Sequence, residues 1–381
     1  MYVSSWPGLT PDDLWRSRSE QPRMPYPLNT AHALSFYVAR SGIYHLFRAL
    51  GFNQGDIVLV PDYHSGNEVA AIRAAGTSIV YYPIRRNLEP DMDQLASLAR
   101  LKPRAVYVIH YLGWPQPTRQ IADLFRDSGS VVVEDCALSL LSETEGGPLG
   151  SFGDYSVFCL YKTLPVPNGG LLVQNREVLP PLTALELQRC PRASLAGRSV
   201  ELLLEALRSR CDGVGKVLFD IKRGVGRTLR AVRVPQVPVG DIGWNPANVN
   251  IAMSDFCSSL MKGLDYEDIR RRRRENFLLL RKRLAGQVVM PREDLGEGVC
   301  PLFFPILVRE KHEAAKALWN KGIGAVEFWN QGAAEASGDH RSDAHYLRTH
   351  LLELPIHQDV APHQVHYIAS QVERLRLERP Q

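Results

Sequence analysis

Val131-Val132-Val133-Glu134-Asp135-Cys136-Ala137-Leu138, then Gly150-Ser151-Phe152-Gly153-Asp154, then Phe158-Cys159-Leu160-Tyr161-Lys162-Thr163-Leu164-Pro165-Val166-Pro167-Asn168-Gly169-Gly170: these three pieces decide how the chain folds. The valine run has the character of a parallel strand buried on both faces. Asp135 follows at its carboxyl end, the edge where open α/β sheets bind ligands. A carboxylate in such a place needs a cationic partner. A second β-rich run, 156–160, leads to Lys162, a lysine set in Pro- and Gly-rich chain that cannot continue as helix. A lysine in a stiff loop beside strand ends is placed like a Schiff-base lysine rather than a solvated one.

That pairing is what pyridoxal phosphate (PLP) chemistry requires: an amine to carry the coenzyme and a carboxylate to keep its pyridine nitrogen protonated. The segment resembles the DegT-type nucleotide-sugar aminotransferases, PLP enzymes of fold type I. Their pattern is a strand, Glu-Asp-x-Ala, Gly-x-x-Gly-Asp, and a lysine followed seven residues on by Gly-Gly. Here those elements are Glu134 to Ala137, Gly150 to Asp154, Lys162, and Gly169-Gly170. The resemblance covers residues 30–175 and 241–375. It implies an α/β fold: a fold type I PLP-dependent transferase with a mostly parallel seven-stranded sheet flanked by helices and a smaller C-terminal α+β domain.

Several site residues come with the resemblance. Lys162 and Asp135 are the catalytic pair. Ser41 and Gly42 stand where the family holds the cofactor phosphate, and Cys159 stands where a phosphate-binding serine is usual. Tyr63 and His64 are the candidates for the aromatic that stacks on the pyridine ring. Asn245, in Gly243-Trp244-Asn245, corresponds to an asparagine that reaches the cofactor phosphate of the other subunit of a homodimer. The sequence departs from the pattern at Leu138, where Gln or His is frequent, at Asn168, where many members have Glu, and at Pro246-Ala247, where an arginine is usual. Two residues are also missing before Lys162. These departures leave the lysine chemistry intact and put the substrate class in question.

Composition bounds the remainder. The chain has 381 residues, 45% hydrophobic and 23% charged, ordinary values for a globular protein with room for a large core. Its net charge of +4 is uneven: residues 176–240 hold twelve basic and six acidic side chains. The six cysteines form no Cys-x-x-Cys pair, which argues against a zinc site or a disulfide framework and for a reducing cytoplasm. The first twenty residues contain no signal-like apolar stretch, and no run is long enough to span a bilayer.

In chain order, residues 1–30 read as an arm that lies on something else, 31–240 as the large PLP-binding domain, 241–285 as a long linking helix region and 286–381 as the small domain. Ser41 is a candidate N-cap for a helix beginning near Gly42, whose free N–H groups would suit a phosphate. Within 176–240, a basic helical insertion, the stretch 198–234 is amphipathic. It is either a cationic flap at the active-site entrance or dimer edge, or a peripheral membrane contact. Residues 254–284 read as one helix whose five consecutive arginines, Arg270 to Arg274, cannot share a face. They are expected to be solvated and paired with acids rather than to bind nucleic acid. The histidines show no metal-ligand spacing, and His357 is a candidate border of the substrate pocket.

The expected function is transfer of an amino group from an amino acid, by family habit L-glutamate, to a keto sugar carried on a nucleotide. The alternatives are PLP-dependent elimination on a sugar, which the presence of lysine rather than histidine at 162 disfavours, and a PLP-fold protein that binds without turnover.

Overall fold

Apolar and β-branched runs supply the sheet. Strands β1 (Ala33–Phe36), β2 (Ile57–Pro61), β3 (Ser78–Tyr82), β4 (Ala105–Ile109) and β5 (Val131–Asp135) are followed by a two-stranded ribbon, β6 (Glu143–Thr144) and β7 (Gly147–Pro148). Strands β8 (Tyr155–Cys159) and β9 (Gly170–Gln174) complete one seven-stranded sheet in the order β1-β9-β8-β5-β4-β2-β3. The computed structural model from which this architecture is taken describes residues 1–15, 24–211, 239, 243–330 and 342–380. Strands β3, β2, β4, β5 and β8 run parallel, whereas β9 is antiparallel to β8 and β1 is antiparallel to β9. Every residue of β4 and β8 is buried, as expected of strands covered on both faces.

Chain order locates the ligand edge. From β2 the chain moves outward through helix α3 (Asn67–Ala74) to β3, then returns across β2 to β4 on its other side. The direction of winding therefore reverses between β2 and β4, and the carboxyl ends of strands at such a switch point enclose a crevice.

After a short first helix, α1 (Pro11–Trp15), helix α2 spans Ala39–Ala49, three residues earlier at its start than the sequence suggested. Val38 is the N-cap residue, with extended backbone and no side-chain cap, and Ser41 sits inside the first turn with its N–H bonded to the Val38 carbonyl. The early start is possible because β9 opens with glycine. A Cβ on Gly170 would lie 2.3 Å from the Ala39 nitrogen, so only the bare backbone lets the first turn of α2 rest there.

The C-terminal α+β part is built on β10 (Phe303–Leu307) and β11 (Leu351–Pro355), an antiparallel pair packed with helices Lys311–Asn320, Asp343–His350 and Pro362–Leu375. Residues 254–284 are two helices, not one: Asp255–Met261 and Tyr266–Arg283. The break falls at Gly263, and Asp265 caps the second helix by accepting from the Asp268 N–H. The arginine run also departs from the expectation of a solvated face. Arg271 does pair with Asp268 and Glu275, but Arg273 is 1% exposed.

The N-terminal residues lie on the chain itself. Val3 bridges in parallel to Ile323, and the Gly8 N–H donates to Asp359 at 2.9 Å. The Leu9 N–H donates to the Leu202 carbonyl in helix Arg192–Arg210. That helix contains the start of the amphipathic stretch 198–234; residues 212–234 lie outside the described residues. Among the described residues no helix is long and apolar enough to cross a membrane.

Candidate active site

Glu134 and Asp135 are neighbours on a strand, so their carboxylates leave opposite faces and do different work. Glu134 is fully buried and structural. It accepts from the N–H groups of Phe152 (2.8 Å) and Gly153 (2.6 Å) and from His110 Nε2 (2.8 Å). His110 Nδ1 accepts from the Gln116 N–H, so the ring proton is on Nε2 and points at the carboxylate. These bonds fold the Gly-x-x-Gly-Asp loop under β5 and hold the Glu134 pKa below its ordinary value against the opposing effect of burial. A Cβ at Gly153 would lie 2.8 Å from the Val132 carbonyl oxygen, which accounts for the glycine there.

Asp135 faces the crevice. Its Oδ2 accepts from the Tyr107 hydroxyl at 2.7 Å and its Oδ1 from the Ala137 N–H at 2.8 Å, so the carboxylate is fixed from both sides. Burial nevertheless raises its pKa, and the nearby charge of Lys162 works in the opposite direction. Lys162 ends a single 3₁₀ turn, Leu160–Lys162, is 8% exposed, and has its Nζ 5.4 Å from the centre of the Phe328 ring.

Both side chains line one cavity. It lies at the switch point. Its walls come from the ends of β4 (Ile109), β5 and β8 (Cys159), from the first turn of α2 (Ala39, Arg40) and from the start of α3 (Ser65, Asn67, Glu68). Trp329 closes it from the C-terminal part in a left-handed conformation with φ +52°. Arg348 holds that turn, donating to the Trp329 carbonyl at 2.9 Å while also reaching the carbonyls of His64 (2.9 Å) and Asp62 (2.7 Å).

Glu68 is a cavity residue that the sequence reading missed. It is buried, accepts from the Ser65 N–H at 2.7 Å and bonds the Ser65 hydroxyl. Ser65-x-x-Glu68 is a visible helix-start signature, so a signal was present. Burial first, and the neighbouring Asp135 charge second, push the Glu68 carboxyl up to about 7 from its ordinary 4.5. A carboxyl whose pKa is raised by folding contributes stability that is full below the unfolded value and lost as pH rises from about 4.5 to about 7. Glu68→Gln is therefore expected to raise the melting temperature relative to wild type more at pH 8 than at pH 5, by the equivalent of roughly 1–3 kcal/mol. Thermal unfolding of both proteins at the two pH values checks this.

The remaining candidates are placed as follows. Cys159 and Leu138 line the cavity with Lys162 and Asp135. Ser41 and Gly42 are buried and are not in its lining. Gly42 faces the sheet, where an added Cβ would meet Leu172 at 3.3 Å, so the α2 residues presented to the cavity are Ala39, Arg40 and Ile43. Neither Tyr63 nor His64 lines it. Tyr63 turns inward against Trp329 (4.9 Å between rings) and Tyr111, and His64 stacks on Tyr81 at 5.4 Å. The aromatic side chains in the lining are Tyr161 and Trp329. Asn245 caps the turn Pro246–Asn248 through the Ala247 N–H, is exposed, and is not in this cavity's lining. Asn168 is buried in a bond to the Ser254 N–H at 3.1 Å, a structural post. His357 is also outside the lining: it is buried against the N-terminal residues, its Nε2 at 3.0 Å from the Ser4 carbonyl. Among the described residues no group of three His, Cys, Asp or Glu side chains could hold a metal ion.

Residues 26–190 match the model of the DegT/DnrJ/EryC1/StrS aminotransferase family. The chain is 28% identical over 155 residues to GDP-perosamine synthase of Vibrio cholerae, covering 40% of this chain and 42% of that one. It is 29% identical over 177 residues to a dTDP-4-dehydro-2,3,6-trideoxy-D-glucose 4-aminotransferase of Saccharopolyspora spinosa, covering 45% of each. The matched region thus spans under half the length of these curated relatives. Among solved structures, the aminotransferase TlmJ of Streptoalloteichus hindustanus superposes with a TM-score of 0.68 at 21% identity over 98% of both chains. PseC of Helicobacter pylori, an aminotransferase of pseudoaminic acid biosynthesis, gives 0.67 at 17% identity over 98% of both chains. Those likenesses establish the fold. Residues 26–190, which contain the seven-stranded sheet, Asp135 and Lys162, are thus similar to the DegT/DnrJ/EryC1/StrS aminotransferase family.

Proposed function

We propose that this protein is a PLP-dependent aminotransferase that moves an amino group from an amino acid, L-glutamate in this reading, to a keto sugar carried on a nucleotide. The observation that supports it above all is the shared cavity of Lys162 and Asp135, a buried amine and a buried carboxylate at the carboxyl ends of adjacent parallel strands. The residues present fit the coenzyme. Asp135 is short of positive charge, since burial has raised its pKa, and a protonated pyridine nitrogen would supply it. Arg40 and the backbone N–H groups of the first turn of α2 suit a phosphate. The curated relatives, one named for a 4-dehydro sugar on dTDP and one for a GDP-linked amino sugar, favour a nucleotide-linked keto sugar as acceptor.

PLP, when bound, supplies an electron sink for the electrons released from the amino donor. The chain's own residues do the rest. Lys162 Nζ is the base that takes the proton from the donor carbon and later returns one on the acceptor side. Asp135, held by Tyr107 and Ala137, presents a fixed negative charge that need not reorganise during the reaction. Leu138 and Trp329 supply apolar surface to the lining, and in such surroundings the interactions of that charge are stronger than in water. The same reading includes a cytoplasmic homodimer in which Asn245, exposed on its own chain, serves the partner's site, and a division of the chain into large and small domains near 241–286.

The decisive experiment is the absorption spectrum of the purified protein with PLP, before and after excess L-glutamate. A band that converts to the pyridoxamine form with glutamate supports the reading. A band that glutamate and other amino acids leave unchanged points to elimination chemistry instead, and the absence of any band to binding without turnover.

A further inference from the structure

The guanidinium of Arg273 is a buried cation that binds neutral acceptors. Its Nε donates to Gln358 Oε1 at 2.9 Å, its Nη1 to the Leu302 carbonyl at 3.1 Å, and its Nη2 to the Thr163 carbonyl at 3.2 Å. Burial lowers its pKa, and Cys300 and Asp359 act in the opposite direction. Taking such a charge out of water is costly unless its hydrogen bonds are well used. They converge on one point. The Thr163 carbonyl also accepts from Gln358 Nε2 at 3.1 Å, and Gln358 is itself gripped from outside by Arg272, which donates to its carbonyl at 2.8 Å.

Thr163 is the residue after Lys162. On the sheet side the loop is tied by the Thr163 and Leu164 N–H groups, both donating to the Leu160 carbonyl, at 3.1 and 2.8 Å. On the other side its contact is with the fork from helix Tyr266–Arg283 and the segment following β11. Lysine has four rotatable bonds, so a shift of the loop moves the amine freely unless the backbone beneath it is pinned. We propose that Arg273 and Gln358 are positioning residues: by holding the Thr163 carbonyl they fix where the Lys162 amine stands, and so couple the C-terminal part of the molecule to the reactive lysine. The role given to Lys162 here rests on the proposed function, whereas the clamp on its loop does not.

The test uses full-length Arg273→Lys, which keeps the charge and loses the fork, and Gln358→Leu. Ile368→Ala, in the buried face of helix Pro362–Leu375, which supplies none of the hydrogen bonds to the Thr163 carbonyl described above, serves as a control for general loss of stability. Melting temperature, the rate and pH midpoint of the Lys162-dependent absorption band formed with added PLP, and hydrogen exchange at the Leu164 amide are measured in each. The clamp variants are expected to form the band about 10-fold more slowly and with a displaced pH midpoint, because small misplacements of a reacting group are expensive. They are also expected to exchange the Leu164 amide faster than Ile368→Ala does at an equal loss of melting temperature. Band kinetics, midpoint and exchange that match wild type, or that match the control, would overturn the proposal. If the wild-type protein forms no Lys162-dependent band, it is the coenzyme reading that fails, and exchange at Leu164 alone then decides whether the clamp exists.

Discussion

Lys162→Ala is expected to form no absorption band with PLP and to lose transamination by roughly 10²–10⁴-fold or more, since it removes the proton carrier as well as the attachment point. Among the described residues Lys162 is the one lysine in the lining of the cavity that holds Asp135, so none of them offers a second amine to substitute for it. The fold should survive. The side chain is nearly buried, and exchanging a buried amine for a methyl group removes a desolvation cost at a site that already lines a cavity. A melting temperature at or near that of wild type is therefore part of the expected result, and it separates loss of chemistry from loss of structure. Lys162→Arg sharpens the experiment: it keeps a cation beside Asp135 but cannot serve as nucleophile or base near neutral pH, and should be as inactive as alanine. Borohydride reduction followed by mass analysis of the 160–175 region should find coenzyme attached in wild type and in neither variant. Turnover unchanged in Lys162→Ala would end the assignment of Lys162 as the reactive amine.

The sheet, the carboxylate and the lysine were legible in the sequence because each depends on local chain. Val131 to Val133 is an apolar, β-branched run and forms part of β5, and Gly170 permits the close approach that α2 makes. Features that depend on distant chain were not legible. The start of α2 moved to Ala39 because Gly170, far along the sequence, leaves room for it, and with that move Ser41 and Gly42 left the cavity and Arg40 entered it. Tyr63 and His64 sit on the expected loop, but Tyr111 and Trp329 draw one ring inward and Tyr81 stacks on the other. Trp329 reaches the cavity from another layer, held by Arg348, and nothing in its neighbours Phe328 and Asn330 foretells that. The arginine run misled for the same reason. Helical periodicity says that five successive residues cannot share a face, and it does not say that one of those faces, that of Arg273, is the inside.

The second large effect is expected of Asp135→Asn, and here the sign depends on what else is bound. Asparagine is nearly isosteric: its Oδ1 can accept from the Ala137 N–H, and its amide can donate to the Tyr107 hydroxyl once that group turns. What is lost is the charge. Folding raises the Asp135 pKa, chiefly by burial, so the stability this residue contributes is complete below its unfolded value and declines as pH rises through the folded one. Without coenzyme at pH 8, Asp135→Asn should therefore melt at or above wild type. With saturating PLP the order should reverse, because a ligand stabilises in proportion to its affinity for the native state and the pyridine nitrogen would then face a neutral amide. Turnover should fall by roughly 10²–10³-fold, the scale for removing one preorganised charge from a dry site. Thermal unfolding with and without PLP, measured with the rate, tests both halves together. An asparagine variant with wild-type turnover and the same coenzyme-induced shift in melting temperature would mean that Asp135, although at the strand end and in the cavity, does not meet the coenzyme's nitrogen. The buried Glu68 beside it would then be the carboxyl to examine for that role, since it lines the same cavity and its charge is coupled to that of Asp135.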